Sequence, residues 1–341
     1  MRAVMVESYD GFPFPLRETE SPDALGAEEI LVAVHTAPVN FADTLVARGL
    51  YQFRPDLPFT PCGECSGVIE QVGSAVRDFS PGDRVACMGP RVSAHDRMKI
   101  AGTLAEKTVV DACNPVKIPD GLSLEQAALF RSNYETASYG LHHGQLKAGE
   151  TLLVLGAGGG AGFAAVSMGK ALGATVIGSA STADRRDHAK LAGADHVIDS
   201  QAQDWRAQVD ALTGGRGLDC VYDPVGGDAT ERAFRALGFR GRHVVIGFAA
   251  GTIPRLPVNL ALMKAASLVG ANMLRGIREE PEVTAMTSAR AWDLLRAGRL
   301  VLPRIARRYP LERASEAMEA VASGECAGRV VVSVNPALDS G

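Results

Sequence analysis

The feature that most constrains this chain is the glycine-rich turn Ala157-Gly158-Gly159-Gly160-Ala161-Gly162. It follows a short apolar stretch, Thr151–Leu155, and opens a helix-forming one, Gly162–Leu172. The pattern is A-x-G-x-x-G, with alanine at the usual first glycine. Gly159 would let the backbone approach a pyrophosphate, and Gly162 would let the helix lie close to the strand. The helix N-terminus offers N–H groups to phosphate. A glycine cluster alone also makes an ordinary turn. Its place between strand and helix is what reads as a nucleotide site.

A doubly wound parallel sheet follows from what comes next. After Thr151–Leu155, strands are expected at Thr175–Gly178, His196–Asp199, Leu218–Asp223, Arg242–Gly247 and Ser267–Ala271. Helical stretches lie between them at Asp184–Leu191, Gln201–Leu212 and Ala229–Leu237, with Gly173 and Gly193 where helix C-caps belong. Six strands with crossovers give a Rossmann-type α/β domain.

The first ~120 residues read differently, as short β-branched strands bounded by Gly and Pro, the signature of a small barrel or rolled sheet. They include Glu29–Val34, Ser66–Val72 and Arg84–Cys87, the last entered through the turn Pro81-Gly82-Asp83. The tail, with a helix at Ala289–Leu295 and a closing strand at Gly328–Val334, is expected to return to this domain. The domain is therefore discontinuous, 1–122 with 273–341, and the nucleotide domain is 123–272.

The totals exclude several classes. The 341 residues allow two domains, and the net charge of −4 disfavours nucleic acid as the main partner. No apolar run approaches the ~20 residues of a membrane span, and Glu7 arrives too early for a signal peptide, so a cytoplasmic protein is expected. The six cysteines are scattered, which disfavours a secreted disulfide framework. Cys62 and Cys65 have CxxC spacing. They read as two incidental thiols beside a turn, with a redox or metal pair as the alternative.

The end of the second strand bears on which nucleotide. NAD-binding folds usually place an acid there for the ribose 2′-OH. This chain reads Gly178-Ser179-Ala180-Ser181-Thr182-Ala183-Asp184-Arg185. Ser179, Ser181 and Arg185 offer donors and a cation to a 2′-phosphate, so NADPH is expected. Asp184 is read as a helix-start surface acid.

Several segments together carry a family resemblance. They include Pro38-Val39-Asn40-Phe41-Ala42-Asp43, Arg48-Gly49-Leu50-Tyr51, Pro61–Glu70, Gly193–Asp199, Asp223-Pro224-Val225-Gly226-Gly227 and Gly328–Val332. With the glycine turn, they resemble the zinc-independent quinone oxidoreductases (zeta-crystallin-like) of the medium-chain dehydrogenases/reductases. The resemblance implies a GroES-like β-rich catalytic domain beside the Rossmann domain, with the active site in the cleft. It implies NADPH-dependent reduction of quinones, and a homodimer formed through the nucleotide-sheet edge near Ser267–Ala271. Where zinc alcohol dehydrogenases carry a ligand Cys and a ligand His, this chain has Asn40 and Gly63. Neither replaces a thiolate or an imidazole as a zinc ligand, so no metal is expected. Only Cys87 lies between Val85 and Val110, so the four-cysteine structural zinc loop is missing too. His142 and His143, adjacent on a helix, point about 100° apart and make a poor metal pair.

The resemblance also implies site residues. Asn40 would face the nicotinamide and anchor its carboxamide or the substrate oxygen; the alternative is a loop residue capping its own turn. Tyr51 would donate to the acceptor, or simply pack. Asn133, beside Tyr134, would line the cofactor pocket with Phe248 and Arg329. The turn residues Ala157, Gly158, Gly159, Gly160 and Ala161 would hold the pyrophosphate. Glu64 resembles a structural glutamate near the site. Arg131 reads as a contact to an anionic substrate or as a surface residue. Without a Lewis acid the chemistry suits acceptors already activated by conjugation. The first expectation is a quinone. The others are an enone or enoyl thioester, or an NADPH-binding structural or sensor protein with little turnover.

Overall fold

The computed structural model describes residues 1–22, 24–88 and 102–340. The stretch in which a structural zinc loop was sought includes residues 89–101, which lie outside the described residues. The chain forms two compact units. One comprises 1–132 with 304–341, the other 133–303.

The first unit is built on the strand Glu29–Val39, buried from Ile30 to Val39. It pairs antiparallel with Glu64–Val72, Lys107–Asp111 and the returning strand Arg329–Ser333. Arg84–Met88, Val116–Lys117 and Ile305–Pro310 complete a seven-stranded sheet. Its core gathers Val32, Val34, Ile69, Val85, Leu104 and Val332, none more than 2% exposed. The strand Ile305–Pro310 escapes the sequence pattern because it is an edge strand bearing Arg307 and Arg308.

The second unit is a six-stranded parallel sheet. In spatial order the strands are His196–Asp199, Thr175–Ala180, Thr151–Leu155, Leu218–Asp223, Leu237–Val245 and Ser267–Gly270. This is the Rossmann order 3-2-1-4-5-6, and it reverses beside Thr151–Leu155, where dinucleotides bind in such sheets. All six expected strands are present. The fifth starts earlier, at Leu237, so Leu237 belongs to that strand and not to the preceding helix, Gly227–Ala236.

Both unit boundaries fall later than the sequence pattern places them, at 132/133 and 303/304 in place of 122/123 and 272/273. The helix Leu124–Ala128 packs on the strands of the first unit, and the Ser132 N–H donates to Glu64. The helix expected at Ala289–Leu295 is part of Pro281–Arg296, and it belongs to the second unit. There the Trp292 indole donates to Glu135, and the Thr287 carbonyl accepts from Ser138. These long-range bonds, not local sequence, set the boundary.

Candidate functional site

The glycine turn begins one residue earlier than the motif suggested. Gly156 has φ +61°, a left-handed conformation that favours glycine, and its carbonyl accepts from the Gly159 N–H at 2.9 Å. Ala157 is buried and donates instead to the Ser179 carbonyl. Gly159 is the N-cap of the helix Gly160–Ala171. The N–H groups of Gly160, Ala161 and Gly162 therefore open the helix without intrahelical acceptors. A Cβ on Gly162 would sit 2.2 Å from the Gly156 carbonyl oxygen, so only glycine lets helix and strand pack this closely. At exposed Gly159 a Cβ would meet nothing nearer than 3.4 Å, which leaves an open approach to the backbone. These features fit a bound pyrophosphate.

Two neighbours brace the turn. A Cβ on Gly158 would lie 2.5 Å from that of Arg185, so the arginine backbone packs directly on the turn. Buried His188 approaches the Gly158 carbonyl through Nδ1 at 3.0 Å and stacks on Phe163. Thr182 caps the helix Ala183–Leu191 by accepting from the Arg185 N–H. Ser181 is exposed, whereas Ser179 is buried and its Oγ takes a 3.4 Å contact from the Trp205 indole N–H. The structure thus leaves Ser181 exposed, packs half-buried Arg185 on the turn and turns the Ser179 side chain inward. Phe248, 40% exposed, packs over Gly226. Asn133 is buried in the π-helical turn Arg131–Glu135, where Tyr134 donates to the Val301 carbonyl.

In the first unit, Asn40 is the hub of a polar cluster. Its Nδ2 donates to Glu64 Oε2 at 3.0 Å, and its Oδ1 accepts from Arg329 Nη2 at 2.8 Å. It is also the N-cap of the helix Phe41–Ala47, with its backbone N–H on Asp43 Oδ2 at 2.7 Å. Asn40 thus stands at the helix N-cap, the alternative expected for it, while its side chain is held by Glu64 and Arg329. Glu64 Oε1 accepts from the Ser132 N–H at 2.8 Å. Burial pushes Glu64 up to about 7 against the pull of Arg329 and of its two donors. Burial likewise pushes Asp43 up to about 6. Arg329, expected as a cofactor contact, is buried and holds Asn40. Arg131 is buried as well and donates to the Asn114 carbonyl, so it is not a surface residue. Tyr51 is half-buried, edge-on against Phe53 with centroids 5.1 Å apart.

Cys62 and Cys65 face different partners. Cys62, at φ +65°, bonds Asp43, and burial with that carboxylate pushes its thiol up. Cys65 lies opposite Cys87 across the strand pair, and that contact together with burial raises it too. Both shifts favour the neutral thiol over the thiolate. His143 bonds Glu280 at 2.9 Å within the second unit.

Sequence reasoning missed Gly156 and Asp43. Asp43 did leave a signal, an acid three residues after a candidate N-cap.

The zinc ligand position suits a dication poorly. Asn40 supplies an amide there, and the guanidinium of Arg329 sits at bonding distance from it.

Comparison with known proteins gives the same assignment. The alcohol dehydrogenase GroES-like domain matches residues 26–120, and the zinc-binding dehydrogenase family matches residues 160–289. A quinone oxidoreductase-like protein 2 homolog of Nematostella vectensis is 33% identical over 97% of this chain and 88% of its own. Quinone oxidoreductase-like protein 2 of Bos taurus is 34% identical over 93% and 88%. The crystal structure of Escherichia coli quinone oxidoreductase complexed with NADPH superposes with a TM-score of 0.86 at 28% identity, covering 97% of this chain and 99% of that one. Fold and site thus define a medium-chain dehydrogenase/reductase with a GroES-like and a Rossmann-like domain. Within that class the chain belongs to the zinc-independent quinone oxidoreductase family, and it is an oxidoreductase. Among the described residues no helix is long and apolar enough to cross a membrane.

Proposed function

We propose that the chain is an NADPH-dependent reductase that delivers hydride to a quinone without a metal. The observation that carries this reading is the Asn40 cluster, an amide held by Glu64 and Arg329 where a zinc enzyme needs a thiolate. Such a site polarises a simple ketone poorly and suits an acceptor whose conjugation already spreads the incoming charge.

The cofactor's pyrophosphate is assigned to the N–H groups around Gly158, Gly159, Gly160 and Ala161, with Ala157 and Gly156 shaping the turn. Ser181 and Arg185 read the 2′-phosphate, supported by the exposure of Ser181, the packing of half-buried Arg185 on the turn and the lack of an acid at the strand end. Ser179 contributes through its backbone and its contact with Trp205. Phe248, Asn133 and Arg329 are assigned to the nicotinamide side. When bound, reduced nicotinamide supplies the hydride. Asn40, oriented by its two partners, anchors the carboxamide or the acceptor oxygen. The Tyr51 hydroxyl donates to the oxygen that gains charge.

The same reading includes a homodimer. The edge strand Ser267–Gly270 ends the sheet, and around it stand Phe239, Val258, Leu262, Met263 and Leu268, each more than half exposed. An open strand edge with apolar side chains beside it fits a second copy of the same edge. The scattered cysteines support a reducing compartment, the cytoplasm.

The test follows NADPH oxidation by the full chain against quinones, enones and enoyl thioesters, with NADH as control. Turnover with quinones is expected. Turnover confined to enones or enoyl thioesters would replace the acceptor, and tight NADPH binding with no turnover would favour a binding protein.

A further inference from the structure

The buried carboxylate of Asp223 lies outside the chemistry described above, yet it takes part in four hydrogen bonds within the second unit. It ends the strand beside Thr151–Leu155, at the point where the sheet order reverses. Its Oδ1 accepts the N–H groups of Val225 and Gly226, both at 2.9 Å. Its Oδ2 accepts the Thr230 hydroxyl at 2.6 Å and meets His243 Nε2 at 2.9 Å. Burial pushes Asp223 up, but these bonds, His243 first, hold it below its ordinary value. With the carboxylate ionised, the proton of the pair lies on Nε2.

His243 is an unusual choice at its position. It is fully buried on the strand Leu237–Val245, beside Phe234, and its Nδ1 has no hydrogen-bond partner. A leucine or valine would fill an interior strand position without leaving a nitrogen unpaired. What histidine adds is the fourth bond to Asp223.

That bond acts on the loop Pro224–Gly227. Val225 packs on Gly156, since a Cβ there would stand 2.9 Å from Val225 Cγ2. Gly226, at φ +73°, lies under Phe248. The Pro224 and Val225 carbonyls accept the N–H groups of Ala249 and Ala250 at 3.1 and 2.8 Å. The loop thus touches the glycine turn on one side and carries the Phe248 segment on the other.

We infer that His243 is a positioning residue for cofactor binding, acting through Asp223 to hold the loop Pro224–Gly227 against the glycine turn and beneath Phe248. This rests on the proposed nicotinamide site and adds a residue that touches neither cofactor nor acceptor.

The test measures NADPH affinity of the full chain by fluorescence titration without acceptor, then KM and kcat. His243→Leu is expected to raise the Kd and KM for NADPH by about tenfold, the loss of one bond to a charged group, with kcat at saturating NADPH unchanged. His243→Gln, whose amide N–H can replace Nε2–H, should restore most of the affinity. Should His243→Leu fail to fold, Thr230→Val, which removes the other donor to Oδ2, carries the same expectation at several-fold. Wild-type affinity in the folded Leu variant, or in Thr230→Val where the Leu variant does not fold, would overturn the inference while leaving the proposed function intact. A wild-type chain that binds no nicotinamide nucleotide would overturn both.

Discussion

At Asn40 a single residue serves three neighbours: it caps the helix Phe41–Ala47, donates to Glu64 and accepts from Arg329. The arrangement holds because one cation is placed between buried Glu64 and half-buried Asp43, so Arg329 offsets part of the cost of desolvating them. Glu64 gives this a measurable consequence. Its folded value of about 7 lies above its ordinary 4.5, so the folded chain binds the proton more tightly than the unfolded chain does. Stability therefore falls as pH rises from about 4.5 to about 7, and the full cost is present above that. Glu64→Gln should flatten this part of the stability–pH curve, by at most about 1.4 kcal/mol per pH unit for one proton. Chemical denaturation at a series of pH values checks it. An unchanged slope would mean that Glu64 is ionised throughout. The sequence names Asn40, Glu64 and Arg329 separately, but what binds them is contact between residues 289 positions apart in one case, which no local pattern encodes.

Among elements, the strand–turn–helix at Thr151–Ala171 was legible because each of its parts has a local cause: β-branched and leucine residues, then glycines, then a run of small helix formers. The role of Gly156 was not, since its left-handed φ becomes visible only with the backbone in place. The edge strand Ser267–Gly270 was placed by its apolar run, but its exposed surroundings could be seen only in three dimensions. Leu262 is 85% and Met263 76% exposed on the helix Asn259–Lys264, next to that edge. If this surface joins two copies, Leu262→Glu should shift the chain from dimer to monomer in sedimentation or native mass measurements, because a buried unpaired carboxylate opposes association. A dimer of wild-type strength in the variant would place the interface elsewhere.

For the whole molecule, the two-part architecture with an inserted nucleotide unit follows from the change of hydrophobic period along the chain, from short alternating strands to strands separated by helices. The exact seams do not, because bonds such as Trp292 to Glu135 and Ser132 to Glu64 determine them. The candidate site divides in the same way. The turn that would hold a pyrophosphate was legible, whereas the buried supports behind it, His188, His243 and Asp223, resemble ordinary helix and strand residues in the sequence. The central proposal is that the turn and the helix beside it hold NADPH, with Arg185 reading the 2′-phosphate. Titration of the wild-type chain and of Arg185→Ala with NADPH and NADH tests it most directly. Tighter wild-type binding of NADPH is expected, with a loss of roughly 10- to 100-fold for NADPH alone in the variant, the value of hydrogen bonds to a charged group. Equal wild-type affinities, or NADPH binding indifferent to the substitution, would contradict it.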